Sequence, residues 1–233
     1  PDGEPTLDQH LEEEIDALKQ FGYPIAVITN AGLIDQPDVR RALGKADWVS
    51  LKVDSPVENT WKKINRPHGL LELDAIIRGM LLFASQYSGE LVTETMLVAG
   101  LNDDSESIDA LVEFLTVLQP FKVYLSIPSR PPAEDWVRIP SPDVLDRVYQ
   151  TIQTRIPVVE LLSEDEGDSF HATGDIAEDI LGIAAVHPIR QGALENMLAS
   201  AQKDWDVIDE LLQKDLLRCV EYRGMKFYLC QTP

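Results

Sequence analysis

The chain has 233 residues, enough for one α/β domain, a small appendage and a sizeable apolar core. Hydrophobic residues make up 44% and charged residues 26%, which excludes the profile of a disordered chain. Forty Asp and Glu against twenty Lys and Arg leave a net charge of −20, a field that repels phosphate backbones and anionic lipid and argues against non-specific binding to either.

Taken in chain order, the first two-thirds alternates short β-branched runs with longer helix-period segments, the signature of a parallel sheet covered by helices. Thr6 or Asp8 caps a predicted helix with Leu7, Leu11, Ile15, Leu18 and Phe21 at spacings of three and four. Gly22 ends it, and Ile25 to Thr29 reads as a buried strand. Pro37 opens a short helix at a favoured first-turn position. Strand Trp48 to Val53 follows, then a helix from Leu71 to Ser85 and strand Leu91 to Val98. Asp104 or Ser105 caps a helix with Ile108, Leu111, Val112, Leu115 and Leu118 on one stripe. Strand Lys122 to Ile127 runs into a Pro-rich loop, Pro128 to Pro132; a helix from Pro142 to Ile156 and strand Val158 to Leu161 close the series. Repeated β–α units with right-handed crossovers make this part of a β/α barrel.

The acidic stretch Ser163 to Asp168 breaks the pattern and reads as a linker. Beyond it, Ile176 to Val186, Arg190 to Ala201 and Asp204 to Lys214 read as three short helices. Leu217 to Tyr222 and Met225 to Cys230 then flank Arg223-Gly224, a two-residue hairpin signal. Three helices followed by a hairpin is the order of a winged-helix domain. The predicted organisation is therefore a partial barrel over 1–162, a linker over 163–174 and a winged-helix-like domain over 175–233. Only two cysteines, Cys219 and Cys230, are present, which excludes a disulfide scaffold and points to a reducing cytoplasm. No apolar run approaches the roughly 20 residues that cross a bilayer, and no signal-like segment opens the chain. It begins with Pro1, inside what reads as a motif, and is expected to be a fragment.

In a β/α barrel the functional residues lie at the carboxyl ends of the strands. Those ends here are Gly3-Glu4-Pro5-Thr6, Thr29-Asn30, Lys52-Val53-Asp54-Ser55, Val98 to Asp103 and Ser126 to Arg130, each polar where the preceding strand is apolar. Glu4, Asn30, the pair Lys52 and Asp54, and Arg130 would converge on one mouth. That set suits a zwitterionic ligand with an amino group, a carboxylate and hydroxyls. The competing reading is that they cap helices and close turns.

These residues carry a resemblance. "GEPTL" before a helix, "AVITNA" ending a strand, "WVSLKVDS", "INRPHG", "LVAGLND" and "SIPSRPPAE" occur in that order. Together they resemble the radical S-adenosylmethionine (radical SAM) superfamily, within it the iron–sulfur oxidoreductases related to wyosine-type tRNA-modifying synthases. The resemblance covers Gly3 to Leu161. It implies an α/β fold of the radical SAM barrel type. It also implies S-adenosylmethionine and a [4Fe–4S] cluster as cofactors, and an electron donor such as a flavodoxin or ferredoxin as partner. The implied activity is generation of a 5′-deoxyadenosyl radical that abstracts hydrogen from an unidentified substrate. By the same resemblance Gly3, Glu4 and Pro5 form the turn facing the ligand's methionine amino group, with a tight Gly turn offering backbone carbonyls and one carboxylate to an ammonium. Asn30, Lys52 and Asp54 fall where family members contact the methionine carboxylate or ribose hydroxyls. Asn102 and Arg130 serve ligand or substrate, Arg130 having as its alternative a loop-closing ion pair with Glu134 or Asp135. The defining CxxxCxxC loop does not occur in this sequence, and Cys219 and Cys230 cannot replace it. The resemblance places the cysteine loop, and the first barrel strand, upstream of Pro1. The alternative is a cluster-less barrel acting as a binding scaffold or as a metabolite-sensing regulator.

His10, His68, His171 and His187 lack metal-like spacing; His68, following "INRP" in a loop near the mouth, is a candidate substrate residue. From Gly167 to Pro233 there are eleven acidic and six basic residues. The third helix carries Asp204, Asp206, Asp209, Glu210 and Asp215 against Lys203 and Lys214. Phosphate neutralisation needs the opposite balance, so the tail is expected to contact protein or peptide rather than DNA.

Overall fold

A computed structural model describes residues 3–162 and 175–231. The acidic stretch 163–174, expected to be a linker, lies outside the described residues, and His171 with it. Two compact units divide the chain, one formed by Gly3–Pro128 and Trp136–Leu162, the other by the C-terminal residues together with Ser129–Asp135.

The first unit opens with a 3-10 turn, Pro5–Leu7, and helix α1 (Leu11–Lys19). Strand β1 (Ala26–Thr29), α2 (Pro37–Leu43), β2 (Trp48–Lys52), α3 (Glu58–Asn65), α4 (Leu73–Gln86), β3 (Glu90–Met96), α5 (Ser105–Leu118), β4 (Lys122–Ser126), α6 (Pro142–Gln153) and β5 (Val159–Leu161) follow. The five strands form one parallel sheet in the order β1-β2-β3-β4-β5, so each strand pairs with its predecessor in sequence. That is the order of a β/α barrel segment rather than of a doubly wound sheet, in which the order reverses. Val49, Leu51, Val123 and Leu125, all fully buried, turn one face toward the helices. The expected stripe on α5 is the buried one, and Asp104 caps that helix by accepting from the Ser107 N–H at 3.0 Å.

Two features of this unit depart from the sequence reading. Helix α3 is unpredicted: its apolar positions are few, and only Trp61 is buried, too weak a period to read. It stops at Arg66, whose φ of +45° is left-handed, ahead of Pro67. Of the stripe expected on the first helix, Leu11 and Ile15 are buried while Leu7, Leu18 and Phe21 are exposed, because a 3-10 turn replaces its first turn and the helix ends at Lys19.

The second unit contains α7 (Ile176–Val186), β6 (Ile189–Arg190), α8 (Gln191–Ser200), α9 (Asp206–Gln213), β7 (Leu217–Tyr222) and β8 (Met225–Cys230). Its antiparallel sheet has the order β6-β8-β7; β6, two residues long, is too short to leave a period in the sequence. Asp175 caps α7 through the Ala177 and Glu178 N–H groups. Ile180, Leu194, Met197, Ile208 and Phe227 are fully buried in this unit. Among the described residues no helix is long and apolar enough to cross a membrane.

Candidate functional site

An all-parallel sheet is ordinarily apolar on both faces. This one is mainly apolar on the face its helices cover, where only the buried Thr29, Thr93 and Thr95 interrupt the apolar side chains, and carries its charged side chains on the other. Register aligns Ser50 with Ile28 and Val92, then Lys52 with Glu94, Tyr124 and Glu160, then Met96 with Ser126. A charged row on one face of a parallel sheet costs stability unless its charges pair with one another or meet water or a ligand. The polar face is therefore the place to look for chemistry.

At the carboxyl end of β1 the Gly3-Glu4-Pro5 turn is clasped to the sheet. Glu4 Oε1 accepts from the Thr29 hydroxyl at 2.5 Å, the Thr6 hydroxyl at 2.7 Å and the Thr6 N–H at 3.1 Å, while Oε2 accepts from the Asn30 N–H at 2.7 Å. Four donors occupy the carboxylate that the sequence reading offered to an ammonium group. What the turn presents instead is backbone: Gly3, at φ +135°, adopts a conformation open to glycine. Pro5 starts the 3-10 turn and is not among the residues that line the two clefts described below. Asn30 Oδ1 accepts from the Gly32 N–H at 2.7 Å, which leaves the Asn30 Nδ2 hydrogens for a ligand.

The end of β2 joins β3 through a buried network. Lys52 Nζ lies 2.8 Å from Glu94 Oε1 and 3.5 Å from Asp54 Oδ1, and Glu94 also accepts from the Ser126 hydroxyl at 2.9 Å. Burial alone would lower the Lys52 ammonium, but Asp54 and Glu94 outweigh it and hold the group above its ordinary value. Burial resists the charge on Glu94 too, yet Lys52 keeps that carboxyl below its usual range. Asp54, 2% exposed, is raised because burial outweighs Lys52, the Met96 N–H and Asn65. Of the two carboxylates, Glu94 is thus the direct ion-pair partner, in keeping with its shorter distance. Asp54 faces inward: Oδ1 accepts from the Met96 N–H at 2.7 Å and Oδ2 from Asn65 Nδ2 at 2.8 Å. Asn102 is likewise internal. Its Nδ2 donates to the carbonyls of Asp54 and Met96, both at 2.9 Å, and its Oδ1 accepts from the Val98 N–H at 2.8 Å. No polar atom of Asn102 remains for a substrate; it ties the ends of β2 and β3 together.

Two neighbouring clefts open here. The smaller, about 370 Å³, is lined by Gly3, Glu4, Ile28, Thr29, Asn30, Ser50, Lys52, Asn65 and Glu94. The larger, about 590 Å³, shares Glu4, Asn30 and Asn65 and adds Trp61, Arg66, His68, Leu70, Leu71 and residues of the 32–36 loop. Of the residues singled out in the sequence, Gly3, Glu4, Asn30 and Lys52 come together, His68 lines the larger cleft, and Asp54 and Asn102 stand behind the walls. Arg130 belongs to the segment that groups with the second unit. Ser50, Glu94 and Asn65 were missed. Only a glutamate at an alternate position of an apolar strand, in "LVTETM", signalled Glu94. Among the described residues no group of three His, Cys, Asp or Glu side chains is placed to hold a metal, and Cys219 and Cys230 sit on the hairpin strands of the second unit.

No family model matches the sequence. Among solved structures, the chain resembles a domain of a pyruvate-formate lyase-activating enzyme from Bacteroides vulgatus. The TM-score is 0.55 at 21% identity, over 69% of this chain and 95% of that one. It also resembles a radical SAM methyltransferase from Sphaerobacter thermophilus, with a TM-score of 0.56 at 18% identity over 70% and 50% of the two chains. At these identities the likeness shows the fold: a five-stranded parallel sheet of the kind found in radical SAM enzymes. A short stretch of 67 residues is 33% identical to an S-adenosylmethionine-dependent nucleotide dehydratase of a Thermoplasmatales archaeon, covering 29% of this chain and 24% of the relative. Far more of the chain is matched by a UPF0026 protein of Methanocaldococcus jannaschii, 40% identical over 230 residues, 98% of this chain and 72% of the relative. An identity of that level along almost the whole length identifies the chain as a member of the UPF0026 family.

Proposed function

We propose that the first unit is the S-adenosylmethionine-binding part of a radical SAM enzyme and that the smaller cleft holds this ligand. The observation that carries the reading is the clasped Gly3–Glu4 turn, which sets free backbone beside Asn30 and Lys52 at the polar ends of β1 and β2. The donor set fits an α-amino acid: Asn30 Nδ2 and Lys52 would hold its carboxylate, and the Gly3 carbonyl with Glu94 its ammonium. S-adenosylmethionine, bound beside a reducing iron–sulfur cluster, supplies radical hydrogen-abstraction chemistry. The residues of this chain bind it, orient it and keep water from it. The cluster itself finds no ligand set among the described residues.

The wyosine-type subgroup is supported by the ordered motifs alone, and a net charge of −20 works against an RNA substrate. The second unit is read as a winged-helix module. Its helix-strand-helix-helix-hairpin order and its β6-β8-β7 sheet support that reading, and its acidic balance favours a protein or peptide partner over DNA.

Isothermal titration of the 233-residue chain with S-adenosylmethionine tests the site. Saturable one-site binding is expected, weakened about tenfold or more by Asn30→Ala through loss of a charge-assisted hydrogen bond. A folded chain that binds none of it, or an Asn30→Ala variant that binds as the parent does, would overturn the assignment.

A further inference from the structure

Asn65 ends α3 and lies in the wall shared by the two clefts. Its amide is oriented by Asp54: Oδ2 of that carboxylate accepts from Asn65 Nδ2 at 2.8 Å, while Oδ1 takes the Met96 N–H and faces Lys52. A carboxylate held in this way accepts and does not donate. The Asn65 carbonyl oxygen is thereby turned away from Asp54. It is buried, and among the described residues it has no hydrogen-bond partner. Buried side-chain oxygens are nearly always paired, so one left unpaired on a residue that lines both clefts calls for a donor from outside the chain, reached by a small turn of the side chain.

The larger cleft supplies a place for that donor. It is wide enough for a molecule of nucleoside or dipeptide size. Trp61, Leu70, Leu71 and Ile76 make it predominantly apolar. Gly32 closes toward it; a Cβ there would stand 3.0 Å from Asn30 Oδ1 and 3.3 Å from Leu71 Cδ1. The smaller cleft, by contrast, is lined by Ser50, Lys52 and Glu94 and suits a charged ligand. We propose that the larger cleft is the substrate site, taking a small uncharged molecule with an apolar body and an N–H or O–H donor, and that Asn65 Oδ1 is the acceptor that selects it. The assignment of the larger cleft to substrate rests on the smaller one holding S-adenosylmethionine; the recognition by Asn65 does not.

Ligand-observed NMR on the 233-residue chain with three matched probes tests the proposal: benzamide, which has an apolar ring and N–H donors; methyl benzoate, which keeps the ring without a donor; and benzoate, an anion of the same size. Benzamide is expected to bind about tenfold tighter than methyl benzoate, the difference made by one hydrogen bond to an otherwise unpaired buried acceptor. The Asn65→Ala variant is expected to lose that preference. A second variant guards against a folding defect in the first. Leu70 is 84% exposed at the lip of the larger cleft, so Leu70→Arg is expected to fold normally, to weaken benzamide binding and to leave S-adenosylmethionine binding as it was. Equal affinity for benzamide and methyl benzoate, a preference for benzoate, or a preference that survives Asn65→Ala would overturn the proposal. Benzamide selectivity in a chain that binds no S-adenosylmethionine would support recognition by Asn65 and overturn only the reading of the smaller cleft.

Discussion

The polar residues of this site divide into those that face a ligand and those that hold the facing ones in place. Glu4 is the clearest holder, its carboxylate taken up by four donors from Thr6, Thr29 and Asn30. Asp54 and Asn102 do the same for the ends of β2 and β3. Lys52 stands between two carboxylates, and the pair it makes with Glu94 has a consequence for stability against pH. Glu94 is held below its ordinary value of 4.5, so the pair stabilises the fold fully above that value and stops doing so as pH falls through the folded one. Asp54 acts in the opposite sense: raised by burial, it costs stability when ionised, and the cost fades on acidification. Lys52 is held above 10.5, so its contribution persists until pH rises through that higher value and does not enter the acid range. The Glu94→Gln variant is therefore expected to be less stable than the parent at neutral pH, with the gap closing as pH falls below 4.5. Urea denaturation of both proteins across that range checks it; a gap that does not change with pH would show that Glu94 and Lys52 are uncoupled.

Helix α4 shows how an element of the frame sets the site. Gly79 lies buried in its middle, and a Cβ there would come within 2.7 Å of the Ile34 carbonyl and the Asp35 N–H. The helix thus packs directly on the backbone of the 32–36 loop that borders the larger cleft. In an open helix Gly→Ala gains about 1 kcal/mol. Here the clash is with backbone rather than a movable side chain, and overpacking of that kind costs about 1–3 kcal/mol. The Gly79→Ala variant should be destabilised on balance, with a lower urea midpoint; an unchanged or raised midpoint would mean that the loop yields freely. Nothing in "IIRGMLL" reveals this, because the partner lies in another loop and only the packed structure brings the two together. The same limit explains what else the sequence left hidden. The stripe on α5 and the apolar strand β2 were legible because their period is local, and Lys52 and Asn30 because strand ends are predictable places. Glu94 meets Lys52 through lateral register across 42 positions of sequence. Asn65 sits on a two-turn helix with a single buried side chain, and its role depends on Asp54 turning its amide. Register and orientation of that kind leave no period to read.

At the level of the whole molecule, the described residues form two hydrophobic cores with no residue in common. One runs from Leu11 to Val159 beneath the parallel sheet, the other from Ile176 to Tyr228 around α7, α8 and the antiparallel sheet. Each buries its own large side chains, and each unit closes its own sheet, so stability is expected to be a property of each unit rather than of the chain as one body. The proposed ligand site lies wholly in the first unit, on residues between Gly3 and Glu94. Leu194, fully buried in the second core, gives a way to separate the two. Truncating a buried leucine removes its transfer free energy and leaves a cavity, together costing about 2–5 kcal/mol. The Leu194→Ala variant should lower the transition of the second unit by that amount in calorimetry and leave the first unit's transition in place. S-adenosylmethionine affinity measured below both transitions should be unchanged. A parallel loss of affinity would mean that the second core supports the geometry of the site and that the two units work as one.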